Sequence, residues 1–110
     1  MYTQPMYMLT NIECDMIRSR ANMLAVYWID YLFEYKTILK ELNTLPSCYL
    51  ILHIYWEALD LFMNYLYSCD DESLERFGIY RTSPDQFEDI MRKMEEGARM
   101  IRKRIHTCMK

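Results

Sequence analysis

The sequence predicts an all-α protein: an antiparallel up-down-up bundle of three long helices in one domain that covers residues 1–110. Only 2 glycines and 3 prolines occur among the 110 residues, which favours long helices over strands and turns. Apolar residues recur every three or four positions over long stretches, which is the period of a helix. The segment 46–67 is apolar on nearly every side, as expected for the central helix of a bundle.

The first helix is predicted over residues 11–43. Thr10 and Glu13 have the spacing of a capping box, which marks a helix start. A second apolar strip, which includes Ala25 and Ile29, widens the apolar face, so we expect more than one neighbour to cover it. The main apolar positions, at helical spacing over four heptads, are Ile17, Ala21, Leu24, Trp28, Tyr31, Tyr35, Ile38 and Leu42.

The second helix is predicted over residues 46–68, with a proline in its first turn. The loop between the first and second helices is short, so the two helices are expected to be antiparallel neighbours. A short fourth helix is predicted near 71–77, ended by Gly78. The third long helix is predicted over 84–108, with Ser83 as its N-cap. Its single apolar stripe is typical of a helix that packs one face on a core.

The overall charge and the start of the chain exclude several classes of protein. The net charge is −3 and the aromatic residues lie at core spacing, so we expect no nucleic-acid partner. The first residues lack the basic and apolar regions of a signal peptide. Polar residues interrupt the longest apolar stretch, which a bilayer would penalise. We therefore expect no membrane span and a location inside a cell, in its cytoplasm, or inside a virus particle.

Two polar stripes, one on each of the first two predicted helices, form a candidate metal site. If the hairpin brings the stripes level and both face inward, their carboxylates need a cation, and Mg²⁺ or Mn²⁺ suits oxygen ligands. If both stripes face solvent, as the polar edge of a soluble bundle does, no cofactor is implied. The candidate ligands are Asp30, Glu34, Glu57, Asp60 and His53.

The run Glu57-Ala58-Leu59-Asp60 is similar to one motif of the all-α NTP pyrophosphohydrolases of the MazG and dimeric dUTPase type. That family holds Mg²⁺ with an ExxE and an ExxD motif on neighbouring helices. The ExxE motif is not matched, because Asp30 and Glu34 are four residues apart. The resemblance implies that the four acids bind Mg²⁺ and that a metal-held water attacks a phosphoryl group.

A second resemblance concerns Arg99 and His106, whose spacing resembles the RxxxxxxH signature of HEPN-type ribonucleases. In that family the pair faces a dimer cleft. Met100 stands where a polar residue usually follows the arginine. The other interpretation is that a basic last turn complements the negative end of the helix dipole.

The four cysteines lack the spacing of a zinc site. An up-down-up bundle would place Cys48 and Cys108 at the same end, which would allow a disulfide between them. Cys14 and Cys69 would lie toward the other end. The alternative is that all four side chains are buried thiols.

The sequence shows no nucleophile–base pair, glycine-rich loop or zinc motif, so it predicts a non-enzymatic interaction protein that works through helix faces. The apolar surface exceeds what three helices usually hide, so we expect a homodimer to complete the bundle. Arg99 and Arg102 are candidate anchors for a partner protein. The composition suits an accessory protein of a virus or mobile element. The alternative is a Mg²⁺-dependent pyrophosphohydrolase that uses the carboxylate site.

Overall fold

A computed structural model describes residues 9–31, 34–45 and 48–108. All regular secondary structure within these ranges is helical, which confirms the predicted all-α class. Among the described helices, none combines the length and apolar character needed to cross a bilayer. The helices are α1 (Asn11–Asp30), α2 (Tyr35–Thr44), α3 (Tyr49–Ser68), α4 (Asp71–Arg76) and α5 (Pro84–Cys108).

The predicted first helix is divided into α1 and α2. Tyr31 caps α1, and Glu34 has an extended backbone (φ −73°, ψ 138°) before α2 begins. The prediction of one continuous helix over 11–43 is therefore wrong at this point. The physical reason is tertiary: α1 packs against α3, whereas α2 packs against α5, and one straight rod cannot cover both neighbours.

Helices α1 and α3 run in the same direction. Trp28, near the end of α1, packs its ring against Tyr55 and Phe62, with centroids 6.1 and 5.7 Å away. At the start of α1, the charge of Glu13 acts on Tyr49 at the start of α3. Both helices thus begin at the same end of the molecule. The expected antiparallel pairing of these two helices is wrong, because α2 carries the chain back before α3 begins.

Helix α5 runs antiparallel to α3. Tyr67, near the end of α3, contacts Phe87 near the start of α5, with ring centroids 5.8 Å apart. At the opposite end, Arg104 Nη1 of α5 donates a hydrogen bond to the carbonyl oxygen of Leu45, just before α3, at 2.9 Å. The chain therefore runs up along α1, down along α2, up along α3 and down along α5.

Gly97 lets α5 approach α2 closely. A Cβ atom at this position would lie 2.6 Å from Leu42 Cδ1 and 3.3 Å from Leu39 Cδ2, closer than carbon atoms normally pack. Leu42 is buried, so its side chain has little room to move aside. The glycine therefore has a packing role in the middle of a helix, where its flexibility is otherwise unfavourable.

The helix ends follow local signals closely. The capping box of Thr10 and Glu13 forms as predicted, with hydrogen bonds of 3.0 and 3.1 Å. The predicted short helix is α4, and Gly78 follows it with a positive φ of 75°. The third long helix is confirmed over 84–108 as α5. The second is α3, and the first residues predicted for it, 46–47, lie outside the described residues.

Replacement of Trp28 tests the central contact between α1 and α3. The side chain is 1% exposed and fills the space between two aromatic rings of α3. We expect Trp28→Ala to lower the free energy of unfolding by about 3–5 kcal/mol, because it removes a large buried side chain and leaves a cavity. Urea unfolding measures this loss. Tyr80→Ala, at a residue that is 48% exposed, is the control and should cost less than about 1 kcal/mol. Equal losses in the two variants would contradict this account of the core.

Candidate functional site

Helix α1 carries two apolar faces on opposite sides. The inner face is buried against α3 and consists of Ile17, Ala21, Ala25 and Trp28. The outer face, here called the outer stripe, consists of Ile12, Met16, Met23, Val26 and Tyr27. At 100° per residue the mean directions of the two sets differ by about 160°. No single neighbouring helix can cover both faces.

The outer stripe is in solvent for most of its length. Ile12 is 81% exposed, Met23 is 70% exposed, and Val26 and Tyr27 are 53% and 51% exposed. Met16 is half-buried. Large apolar surfaces of this kind are unusual on monomeric soluble proteins and mark sites of interaction. The outer stripe is therefore the candidate functional surface of the chain.

Sequence reasoning missed the outer stripe because the stronger apolar pattern of the inner face dominated the prediction for this helix. The signal was nevertheless present. Ile12, Met16, Met23 and Val26 recur at helical spacing, at positions i, i+4, i+11 and i+14. A helix with apolar residues on two opposite sides needs two partners.

The predicted metal ligands do not form one cluster in the structure. Asp30 and Asp60 are exposed, Glu57 is half-buried, and exposed Glu34 lies at the N-cap of α2. Within residues 9–31, 34–45 and 48–108, no group of three His, Cys, Asp or Glu side chains could hold a metal ion. The predicted hairpin would have aligned the acidic residues of α1 with those of α3 only if the two helices were antiparallel. Because α1 and α3 run in the same direction, this alignment does not form. The Mg²⁺ or Mn²⁺ site remains a prediction from the sequence.

His53 lies in an aromatic environment on α3. Its ring is half-buried between Tyr49 and Trp56, with centroids 5.6 and 6.2 Å away. Burial lowers the pKa of His53, and the negative charge of Glu57, one turn further along α3, acts in the opposite direction.

The two arginines predicted as anchors have different surroundings on α5. The guanidinium of Arg102 lies over the ring of Trp56, 5.6 Å from its centroid, so this side chain joins α5 to α3. Arg99 is exposed and lines a shallow depression of about 280 Å³ with Met100 and Lys103. Arg99 is thus the better placed of the two to meet a partner. His106, its predicted companion, is also exposed, and the RxxxxxxH interpretation stays a prediction.

Three cysteines lie toward one end of the bundle. Cys14 is in the first turn of α1, Cys48 precedes α3, and Cys108 ends α5. The expectation that Cys14 lies at the far end with Cys69 is wrong, because α1 and α3 begin at the same end. The described part of the chain contains no disulfide, so the Cys48–Cys108 bridge stays a prediction.

The environment of His53 gives the protein a specific dependence on pH. Because burial lowers the pKa of His53 in the folded state, the unfolded state, with an ordinary value near 6.5, binds the proton more tightly. We expect the free energy of unfolding to fall as the pH decreases from about 8 to about 5, and His53→Gln to reduce this slope. Urea unfolding at several pH values measures it. An unchanged slope in His53→Gln would contradict the assignment.

The influence of Glu57 on His53 can be measured directly. Glu57→Gln removes the negative charge that favours the protonated imidazole, so the pKa of His53 should fall further below its ordinary value. An NMR titration of the histidine ring protons reports this shift. Asp60→Gln, at an exposed carboxylate on the next turn, is the matched control. Equal shifts in the two variants would show that Glu57 has no specific role.

Comparisons with protein-family models, with curated proteins and with solved structures found no match to this chain.

Proposed function

We propose that this chain is a non-enzymatic interaction protein that forms a homodimer through the outer stripe of α1 and binds a partner protein through the exposed face of α5. The observation that carries the proposal is the outer stripe, an apolar face on the solvent side of a 20-residue helix. Burial of apolar surface is favourable by about 25 cal/mol of free energy per Å², so burial of this face between two molecules would favour their association.

The composition of the outer stripe suits a protein interface. It combines two methionines, a tyrosine and two β-branched aliphatic residues, and methionine and tyrosine are enriched where proteins meet. Charged residues flank the stripe: Asp15 lies on one side and Arg20 on the other. An apolar centre with a polar rim is the usual anatomy of a specific interface.

The exposed face of α5 offers a second surface. Met100 is 46% exposed and stands between Arg99 and Lys103 in the depression on α5. A second depression of about 250 Å³ adjoins it between α2 and α5. Glu96 also lines both depressions, but the cations around Met100 outnumber this one carboxylate. An apolar side chain with a net positive border suits a partner helix with apolar and acidic residues. Arg99 is the proposed anchor of this contact.

A charge placed in the outer stripe tests self-association. Met23→Glu puts a carboxylate where the interface would exclude water, so the dissociation constant of the dimer should rise at least about tenfold. Light scattering after size exclusion, over a series of protein concentrations, measures it. Met23 is 70% exposed in the single chain, so the fold itself should remain intact.

Arg18→Glu is the control for this experiment. Its side chain is 69% exposed on α1, outside the outer stripe, and it introduces a negative charge of the same kind. This variant should dimerise like the native chain. A native chain that is monomeric at all concentrations, or equal effects of the two substitutions, would contradict the proposed dimer.

A further inference from the structure

We infer that the outer stripe pairs with the outer stripe of a second copy of this chain, with the two α1 helices running parallel as a short two-stranded coiled coil. The inference rests on the proposed self-association and adds the direction and register of the pair. The partner's contact surface is then the same set of residues, related by a two-fold axis along the helices.

The spacing of the outer stripe is that of a coiled-coil seam. The seam positions alternate steps of four and three residues, and all except the half-buried Met16 are exposed: Ile12, Met16, Ser19, Met23 and Val26. In a parallel pair each of these residues meets its own counterpart in the other chain. Asp30, four residues after Val26, is the last residue of α1, and its carboxylate ends the apolar seam.

Asp15 and Arg20, which lie beside the seam, are complementary when the helices are parallel. Asp15 lies on one flank, next to Met16, and Arg20 lies on the other flank, next to Ser19. In a parallel coiled coil, the residue just before a seam position such as Met16 faces the residue five places later in the other chain. Asp15 of each copy therefore faces Arg20 of the other, and symmetry forms this ion pair twice.

An antiparallel pair gives the opposite electrostatic result. When the seam positions from Ile12 to Val26 overlap fully, Ile12 meets Val26 of the other chain, and the two-fold axis passes close to residue 19. The same flanks then face each other, so Arg20 lies opposite its own counterpart near the axis. Like charges at this position repel, and Asp15 loses the opposite charge.

The fold leaves room for this arrangement. The inner face of α1, with Ala21 and Trp28, lies against α3 on the side of α1 opposite the outer stripe. When two α1 helices meet through their outer stripes, the remaining helices of each copy lie on the far sides of the pair. The bundle of one copy therefore does not obstruct the other.

A charge-exchange experiment tests the inference. Asp15→Arg alone places two pairs of arginines across the dimer, and Arg20→Asp alone places two pairs of aspartates there, so each should weaken its own homodimer. Mixed together, the two variants restore both ion pairs in the heterodimer. Native mass spectrometry of the mixture, with one variant carrying a mass tag, should therefore show heterodimers well above the statistical half. In an antiparallel pair Asp15 faces no opposite charge, so Asp15→Arg alone would leave the dissociation constant of its homodimer unchanged. A weaker homodimer of Asp15→Arg is therefore the result that distinguishes the parallel pair from the antiparallel one.

The control is a mixture of Asp15→Arg with Arg18→Asp. Arg18 forms an exposed ion pair with Asp15 within one chain, at 3.5 Å, but lies away from the seam, so this mixture should show no preference for heterodimers. The double variant Asp15→Arg/Arg20→Asp should recover the homodimer. If the native chain dimerises but the two single variants mix statistically, the parallel register is wrong and the proposed dimer stands. A native chain that stays monomeric overturns both.

Discussion

The packing of α1 against α3 is the contact on which the other features of this protein depend. Its centre is Trp28, which is enclosed by Tyr55 and Phe62 of α3. Ala21 and Ala25, on the same face of α1, have small side chains that allow the two helix backbones to approach closely. A large side chain at one end of the contact and small ones along it fix both the register and the shared direction of the two helices.

The shared direction of α1 and α3 imposes the course of the rest of the chain. After α1 ends, the chain must return to the other end of the bundle before α3 can begin, and α2 supplies this return. Because α1 already occupies one side of α3, α2 lies beside α5. Gly97 provides the space for that contact, and Arg104 then joins the last turns of α5 to the carbonyl oxygen of Leu45. The division of the long predicted helix follows from the same requirement.

The same contact also creates the candidate functional surface. One side of α1 packs on α3, and among the described residues no helix covers the outer stripe, so Ile12 and Met23 remain in water. Core and interface are thus two sides of one helix, separated by about half a turn. The carboxylates on α1 and α3 that an antiparallel hairpin would have aligned form no metal-sized cluster in the described part of the chain.

Local interactions made several helix ends predictable from the sequence alone, and the apolar periodicity did the same for most core positions. The capping box at Thr10, the N-terminus of α5 after Ser83 and the positive φ of Gly78 depend on neighbours within a few residues. The end of α1 before Glu34, the parallel course of α1 and α3, and the exposure of the outer stripe were decided only by the tertiary structure. The apolar periodicity of α1 is compatible with burial on either of two sides. Which side of α1 is buried, and which side remains for a partner, depends on how α2, α3 and α5 pack with one another in the tertiary structure.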